Sequence, residues 1–308
     1  MEATQAEAVA NLRTAIQRTI DLLVMFGIDV KGWSKEQKDA HWKAFDAISQ
    51  SWFAKYQDGA RKGLEQDKRE ILALLTGAKK KALERKATIN WEELEDDVEG
   101  YLSKAGAENW RKTFAPLVRG MVTAQGKRWA AELGLAFDVE NLFSRKWFND
   151  YLLKFAQPIN VTTRDDIAQI LARAQDDGAS IPDVQKQITG LFDRYLDGVL
   201  PEDPEFQWFT DRVPAYRTEL IARTELTRSA GAGTDALFKE WNVQKKEWLA
   251  TRDPRVRDTH AEADGQVVNM DEPFIVGGFQ AMFPGDPALP LEESANCRCT
   301  ELPAGLEE

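Results

Sequence analysis

The residues able to do chemistry are crowded into one stretch of the chain. Residues 245–303 hold His260, one of only two histidines, both cysteines (Cys297 and Cys299), and an acidic–basic cluster of Asp253, Arg255, Arg257 and Asp258. On a strand, residues two apart point to the same face, so Cys297 and Cys299 can turn both sulfurs toward one ion while Arg298 faces the other way. Zinc takes sulfur and nitrogen donors in a tetrahedron. His260, Cys297 and Cys299 therefore form a donor set for one structural zinc, with Asp253, Asp258 or Asp264 as candidates for the fourth ligand. No second Cys/His pair accompanies them, and a second reading stays open. In it the cysteines are small buried hydrophobes and His260 is hydrogen-bonded to a carboxylate or carbonyl. A disulfide between residues two apart would be strained, because bridged Cα atoms want about 5.5 Å.

Asp253-Pro254 has the chemistry of a turn start. If the turn is helical, Arg257 lies one turn after Asp253 and a local ion pair is expected. Arg255 and Arg257 are the candidate phosphate contacts, set against a polar network that merely pins the loop. Between Arg217 and Arg257 there are nine Lys/Arg and six Asp/Glu, a locally basic run. The whole chain carries a formal charge of -11, which argues against general coating of nucleic acid. There is no Gly-rich phosphate loop, no Ser/His/Asp order and no HExxH, and no residue is assigned a catalytic role. The enzymatic alternative is a metal-dependent nuclease using Asp253, His260 and Asn296.

The elements that must position these residues are mostly helices. With 308 residues the chain is long enough for about two domains. Apolar residues spaced by three or four mark helices over 3–27, 35–62 (Trp42, Phe45, Ile48, Trp52, Tyr56) and 71–82. The run Lys79–Lys81 is expected on a solvated face. Asn90 with Glu93 reads as a helix N-cap. Another helix holds Trp110, Phe114, Leu117 and Met121, with a kink expected at Pro116. A packed helix over 139–160 ends at a boundary at Pro158. Then come two short helices: Thr163 is expected to cap the first, Gly178 to end it, and Ser180-Ile181-Pro182-Asp183 to start the second. Residues 200–204 read as an acidic surface loop. The last long helix, 214–241, has a face of small residues (Thr224, Thr227, Gly231, Thr234) suited to close packing. After Trp241 the helical period stops, and 246–250, 266–269, 274–276 and 298–302 read as short strands. Most of the ten tryptophans fall on helical spacings, as core or interface anchors. The fold class expected is mainly α, with helices packed as hairpins or a bundle and a small C-terminal α+β module of short antiparallel strands after residue 244. No apolar run is long enough to span a membrane, and the N-terminus has no signal-peptide pattern.

From Arg217 onward the chain resembles the phage head-morphogenesis family typified by the phage Mu F protein and the minor head protein of SPP-type phages. The resemblance rests on Ile221-Ala222-Arg223-Thr224-Glu225, on Trp248-Leu249-Ala250-Thr251 followed by Asp253, Arg255, Arg257 and His260, and on Asp264-Gly265-Gln266. It continues through Pro273-Phe274, Pro284-Gly285-Asp286-Pro287 and Asn296-Cys297-Arg298-Cys299. The helices at 162–195 are similar to the segment that precedes this core. The resemblance covers about residues 160–303, so the chain divides into a helical region, 1–158, for portal or partner binding, and a head-morphogenesis domain, 159–308.

Such a resemblance implies a minor capsid protein, present in few copies inside the virion and in the host cytoplasm during assembly. Its implied partner is the portal protein, with scaffold or major capsid protein and packaged DNA as further contacts. It would act in assembly, DNA packaging or ejection. Members also occur as carriers of toxin domains, and no such domain is expected after Pro303. A DNA-binding ejection factor is the remaining alternative.

Overall fold

A computed structural model describes residues 33–133, 137–152, 156–197 and 217–304. The helix expected over 3–27 and the loop at 200–204 lie outside these residues. The described elements are α1 (Lys35–Arg85), α2 (Trp91–Tyr101), a π-helical turn (Leu102–Gly106), α3 (Ala107–Leu133), α4 (Leu142–Leu152), α5 (Gln157–Asp177), α6 (Ile181–Asp197) and α7 (Arg217–Glu240). They continue with β1 (Lys245–Leu249), α8 (Asp258–Ala263), β2 (Val267–Asn269), β3 (Phe274–Val276), β4 (Phe279–Ala281), α9 (Leu291–Ser294) and β5 (Thr300–Ala304). The protein is mainly helical with a small antiparallel β module at its C-terminal end. No described helix is long and apolar enough to cross a membrane.

The chain forms two compact units, each built from several segments: Met1–Ala54, Leu117–Asn149 and Arg223–Glu308 in one, Lys55–Pro116 and Asp150–Ala222 in the other. Their boundaries fall inside helices.

The second unit is all helical. Its core takes Tyr56, Leu64, Ile71 and Leu75 from α1, and Leu94, Val98, Trp110 and Phe114 from α2 and α3. Ile167, Ile170 and Leu171 join from α5, with Ile188, Phe192 and Tyr195 from α6. Gly63 is needed where α1 meets Trp110, because a Cβ there would stand 2.6 Å from the indole. Buried Asp67 accepts hydrogen bonds from the Tyr101 hydroxyl and the Trp110 indole N–H, both at 2.8 Å. At the π turn the Leu102 carbonyl accepts both from the Ala107 amide and from the Asn160 side-chain amide, the latter at 2.6 Å.

Local signals explain most of the helix ends. Asn90 accepts from the Glu93 amide as the N-cap of α2. Gly178, at φ 63°, closes α5 in the left-handed conformation that glycine adopts without strain. Ser180 and Asp183 bond reciprocally ahead of α6. Two expectations need correction. Pro158 does not end a helix: it sits in the first turn of α5, where its missing N–H costs nothing. Thr163 is no cap. It lies buried inside α5, its hydroxyl donating to the Ile159 carbonyl at 3.0 Å.

In the first unit, β1 is the central strand of a sheet ordered β2-β1-β5, with Glu247 opposite Val267 on one side and Leu302 on the other. Both faces are covered. Trp248, Phe274, Val276, Ala281, Cys297 and Cys299 form one apolar cluster. Leu249 and Leu302 join Trp129, Leu237, Phe238 and Val243 in another. A strand buried on both faces reads as a near-continuous apolar run, yet β1 begins Lys-Lys-Glu, which is why its depth is not obvious from its letters. The edge strand β5 is guarded by α1 and the residues before it: Trp33 donates to the Pro303 carbonyl at 2.7 Å, and Trp42 reaches the Arg298 carbonyl just ahead of the strand at 3.1 Å. β3 and β4 form a separate hairpin whose two turn residues, Gly277 and Gly278, have φ of 58° and 84°. That positive-φ pair is what a tight two-residue turn demands.

Candidate functional site

The small-residue face of α7 is the platform of the site. A Cβ on Gly231 would stand 2.4 Å from the Pro284 carbonyl oxygen, so glycine alone lets the Pro284-Gly285 turn lie on the helix. One turn back, Thr227 donates its hydroxyl to the Cys297 carbonyl, and Thr224 accepts from the Asn296 amide at 3.2 Å. Arg228 bridges Glu225 at 2.8 Å and the Ser294 hydroxyl at 3.1 Å. Asn296 takes φ of 55°, a left-handed kink that asparagine tolerates, and this turns the chain into the Cys-Arg-Cys segment.

That segment meets α8. His260 is 1% exposed, Cys297 2% and Cys299 1%. The His260 Nδ1 lies 3.3 Å from the Cys299 sulfur and 3.7 Å from the Cys297 sulfur. Its Nε2 lies 3.1 Å from Glu293, whose other contact is the Thr259 hydroxyl at 2.9 Å. Trp248 packs edge-on against the imidazole at 5.7 Å. Burial opposes charge on His260, but Cys297 beside it, with Glu293, raises its pKa above the ordinary histidine value. Cys297 is held well below the usual thiol range by a hydrogen bond from Cys299, against its burial, with help from His260. Burial and then the neighbouring Cys297 push Cys299 well up.

The structure therefore brings His260, Cys297 and Cys299 together, and it sends the acidic candidates elsewhere. Asp253 forms a two-pronged pair with Arg298, one arm at 3.0 Å, and accepts from the Arg255 amide at 2.8 Å. Burial works against its charge, but the Arg255 amide and the Arg298 guanidinium hold its carboxyl below the usual range. The expected Asp253–Arg257 pair is replaced by this longer-range one, because Arg257 instead donates to the Ala295 carbonyl. Arg255 is exposed, 3.6 Å from Asp253. Asp264 accepts from the Ala250 amide at 2.8 Å and from Arg252 at 2.7 Å. Gly265, at φ 81°, lets its own amide bond back to Trp248 at 2.9 Å. Arg223 stacks on Phe53 at 4.6 Å.

Two features escaped the sequence reading. Glu293 lies in an acidic Glu-Glu pair that reads as surface, and nothing local announces that it meets His260. The second is a set of buried charges under β1. Lys246 is 0% exposed, donating to the Met282 carbonyl and lying 3.8 Å from Asp235. Glu301 is 0% exposed, and neither carboxyl oxygen has a hydrogen-bond donor in reach among the described residues. Burial first, then Asp235, push its pKa well up.

Residues 165–302, which contain this whole arrangement, match the family described as phage Mu protein F like protein. Over this segment, a little under half of the chain, the protein is similar to the phage Mu protein F-like family. The chain also aligns with individual proteins. The chain is 27% identical over 161 residues to the uncharacterized protein YqbB of Bacillus subtilis (strain 168), covering 51% of the chain and 47% of YqbB. It is 36% identical over 122 residues to the NAD(+)--arginine ADP-ribosyltransferase EFV of Enterococcus faecalis, 37% of the chain and 24% of that protein. It is 38% identical over 89 residues to the minor head protein GP7 of Bacillus phage SPP1, 27% of the chain and 28% of that protein. The chain thus spans less than half the length of each of these relatives. No solved structure matches.

Proposed function

We propose that the protein is a minor component of a phage head, associated with the portal inside the capsid and acting in assembly, DNA packaging or ejection. The observation that carries this reading is the match of residues 165–302 to the Mu F-like family, together with 38% identity to the minor head protein GP7 over 89 residues. Thr224, Glu225, Trp248, Asp253, Arg257, Gly265, Asn296 and Arg298 each hold a specific backbone or side-chain partner within that segment.

The site favours a structural role over catalysis. His260 and both sulfurs are enclosed, and no open face presents them to a substrate. The ADP-ribosyltransferase aligns over only 24% of its length, so its activity is not carried to this chain. Packaged DNA is a further partner in this reading, with Arg255 as an exposed cation beside Asp253. Its attraction would be electrostatic and would fall steeply with salt.

Co-expression with the portal protein of the same phage tests the reading. The chain should co-sediment with intact portal rings. Rings that sediment without it, while the chain stays soluble and folded, would count against portal association.

A further inference from the structure

We propose that His260, Cys297 and Cys299 bind one zinc ion through Nδ1 and the two sulfurs, as a clip that fastens α8 to the segment leading into β5. The inference stands apart from the head-protein reading, since it concerns only what these side chains hold.

The geometry has the size of a coordination shell. The ligand atoms lie within 4.8 Å of one another, with nitrogen–sulfur distances of 3.3 and 3.7 Å. Zinc bonds of ~2.0 Å to nitrogen and ~2.3 Å to sulfur give tetrahedral edges of about 3.5 Å between N and S. A hydrogen bond does not explain the convergence as well. Nδ1 has one proton or one lone pair, so it serves one sulfur, whereas both sulfurs crowd it. A central cation serves all three atoms at once.

The outer partner fits as well. Ligating imidazoles usually give their second nitrogen to a carboxylate, which fixes the tautomer and ring plane. Here Nε2 faces Glu293 at 3.1 Å, leaving the Nδ1 lone pair directed at the sulfurs. Glu293 is seated by Thr259 and by Gly277, where a Cβ would come within 2.5 Å of its Oε1. It lies at the far end of the ring from the sulfurs, so it orients the ligand and does not act on the ion's fourth position. Two thiolates and an imidazole select zinc over magnesium or calcium, which prefer oxygen donors. Binding displaces the thiol protons to solvent and leaves a site with no net charge of its own. Among the described residues no fourth His, Cys, Asp or Glu joins the group, so the fourth position falls to a small ligand such as water.

Metal analysis of the full chain, purified reduced and without chelator, should find one zinc per chain, falling to background in a Cys297→Ser/Cys299→Ser double variant. Because that variant can lose its fold, cobalt(II) titration of the metal-stripped parent gives an independent readout. It should produce thiolate-to-cobalt charge-transfer absorption that saturates at one equivalent. Glu293→Gln should retain the site but weaken zinc binding about 10- to 100-fold. Parent protein that carries no zinc and gives no charge-transfer band with cobalt would overturn the proposal. So would a band that survives in the folded double variant.

Discussion

Replacing Gly231 by alanine should weaken the protein even though alanine is the better helix former. The new Cβ would lie 2.4 Å from the Pro284 carbonyl oxygen and 2.8 Å from the Phe283 ring. The first obstacle is backbone, so it cannot swing aside as a side-chain tip would. Forcing one extra carbon into a packed site costs about 1–3 kcal/mol, and a collision with main chain belongs at the upper end. The gain in helix propensity is about 1 kcal/mol. The net expectation is a loss of about 1–2 kcal/mol. Gly77 provides the control. It also lies inside a helix, α1, but a Cβ there meets nothing within 4 Å. Gly77→Ala should therefore stabilise by about 0.5–1 kcal/mol. Urea unfolding of the full chain, followed by tryptophan fluorescence, compares the two variants with the parent. Opposite shifts in the denaturation midpoint are expected. A Gly231→Ala midpoint equal to or above that of Gly77→Ala would refute the claim that α7 is shaped to receive the Pro284 turn.

Other substitutions test separate contacts. Thr227→Val keeps the shape but removes the hydroxyl donor to the Cys297 carbonyl; leaving that buried acceptor unpaired should cost about 1–3 kcal/mol in the same assay. Asp67 is pushed up to about 6 from 3.8, chiefly by burial. The folded chain thus holds this proton more tightly than the unfolded one, so its contribution is full below pH 4 and is lost as pH rises through about 6. The swing is about 3 kcal/mol, and Asp67→Asn should flatten that part of the stability–pH curve; an unchanged slope would contradict it. Glu301, with its pKa raised and no donor in reach, should tolerate Glu301→Gln with little change in melting temperature at neutral pH. Lys246→Met, by contrast, removes the donor to the buried Met282 carbonyl and one of the two cations beside Asp235, which keeps Lys239 at 2.6 Å, and should cost about 1–3 kcal/mol. A Lys246→Met protein as stable as the parent would show that the pair is not coupled.

How much was legible depended on whether the signal was local. The Asn90 cap, the Gly178 stop and the Ser180 start are written within four residues, and each appears in the structure. The strand Phe274–Val276 was readable from β-branched and aromatic residues bounded by turn formers. The small face of α7 was visible as spacing, although what it receives was not. The π turn at Leu102–Gly106 left no mark, because its residues are ordinary helix formers. β4 was missed because three residues, Phe279–Ala281, are too few to show alternation. Thr163 has the residue type of a cap, and only its tertiary burial tells otherwise. The meeting of His260 with the two sulfurs followed from residue type. Its carboxylate did not, since Glu293 lies in an acidic pair that reads as solvent-facing. Likewise Asp253 found Arg298, far along the chain, over the Arg257 one turn away.

The proposed function places the chain inside a phage head. Mass spectrometry of DNA-filled particles from the phage that encodes it, after protease treatment of their exterior, tests that directly. The expected result is peptides from the Mu F-like segment at a low, fixed ratio to portal subunits. Particles that package DNA normally while the chain is found only in the soluble lysate would contradict it.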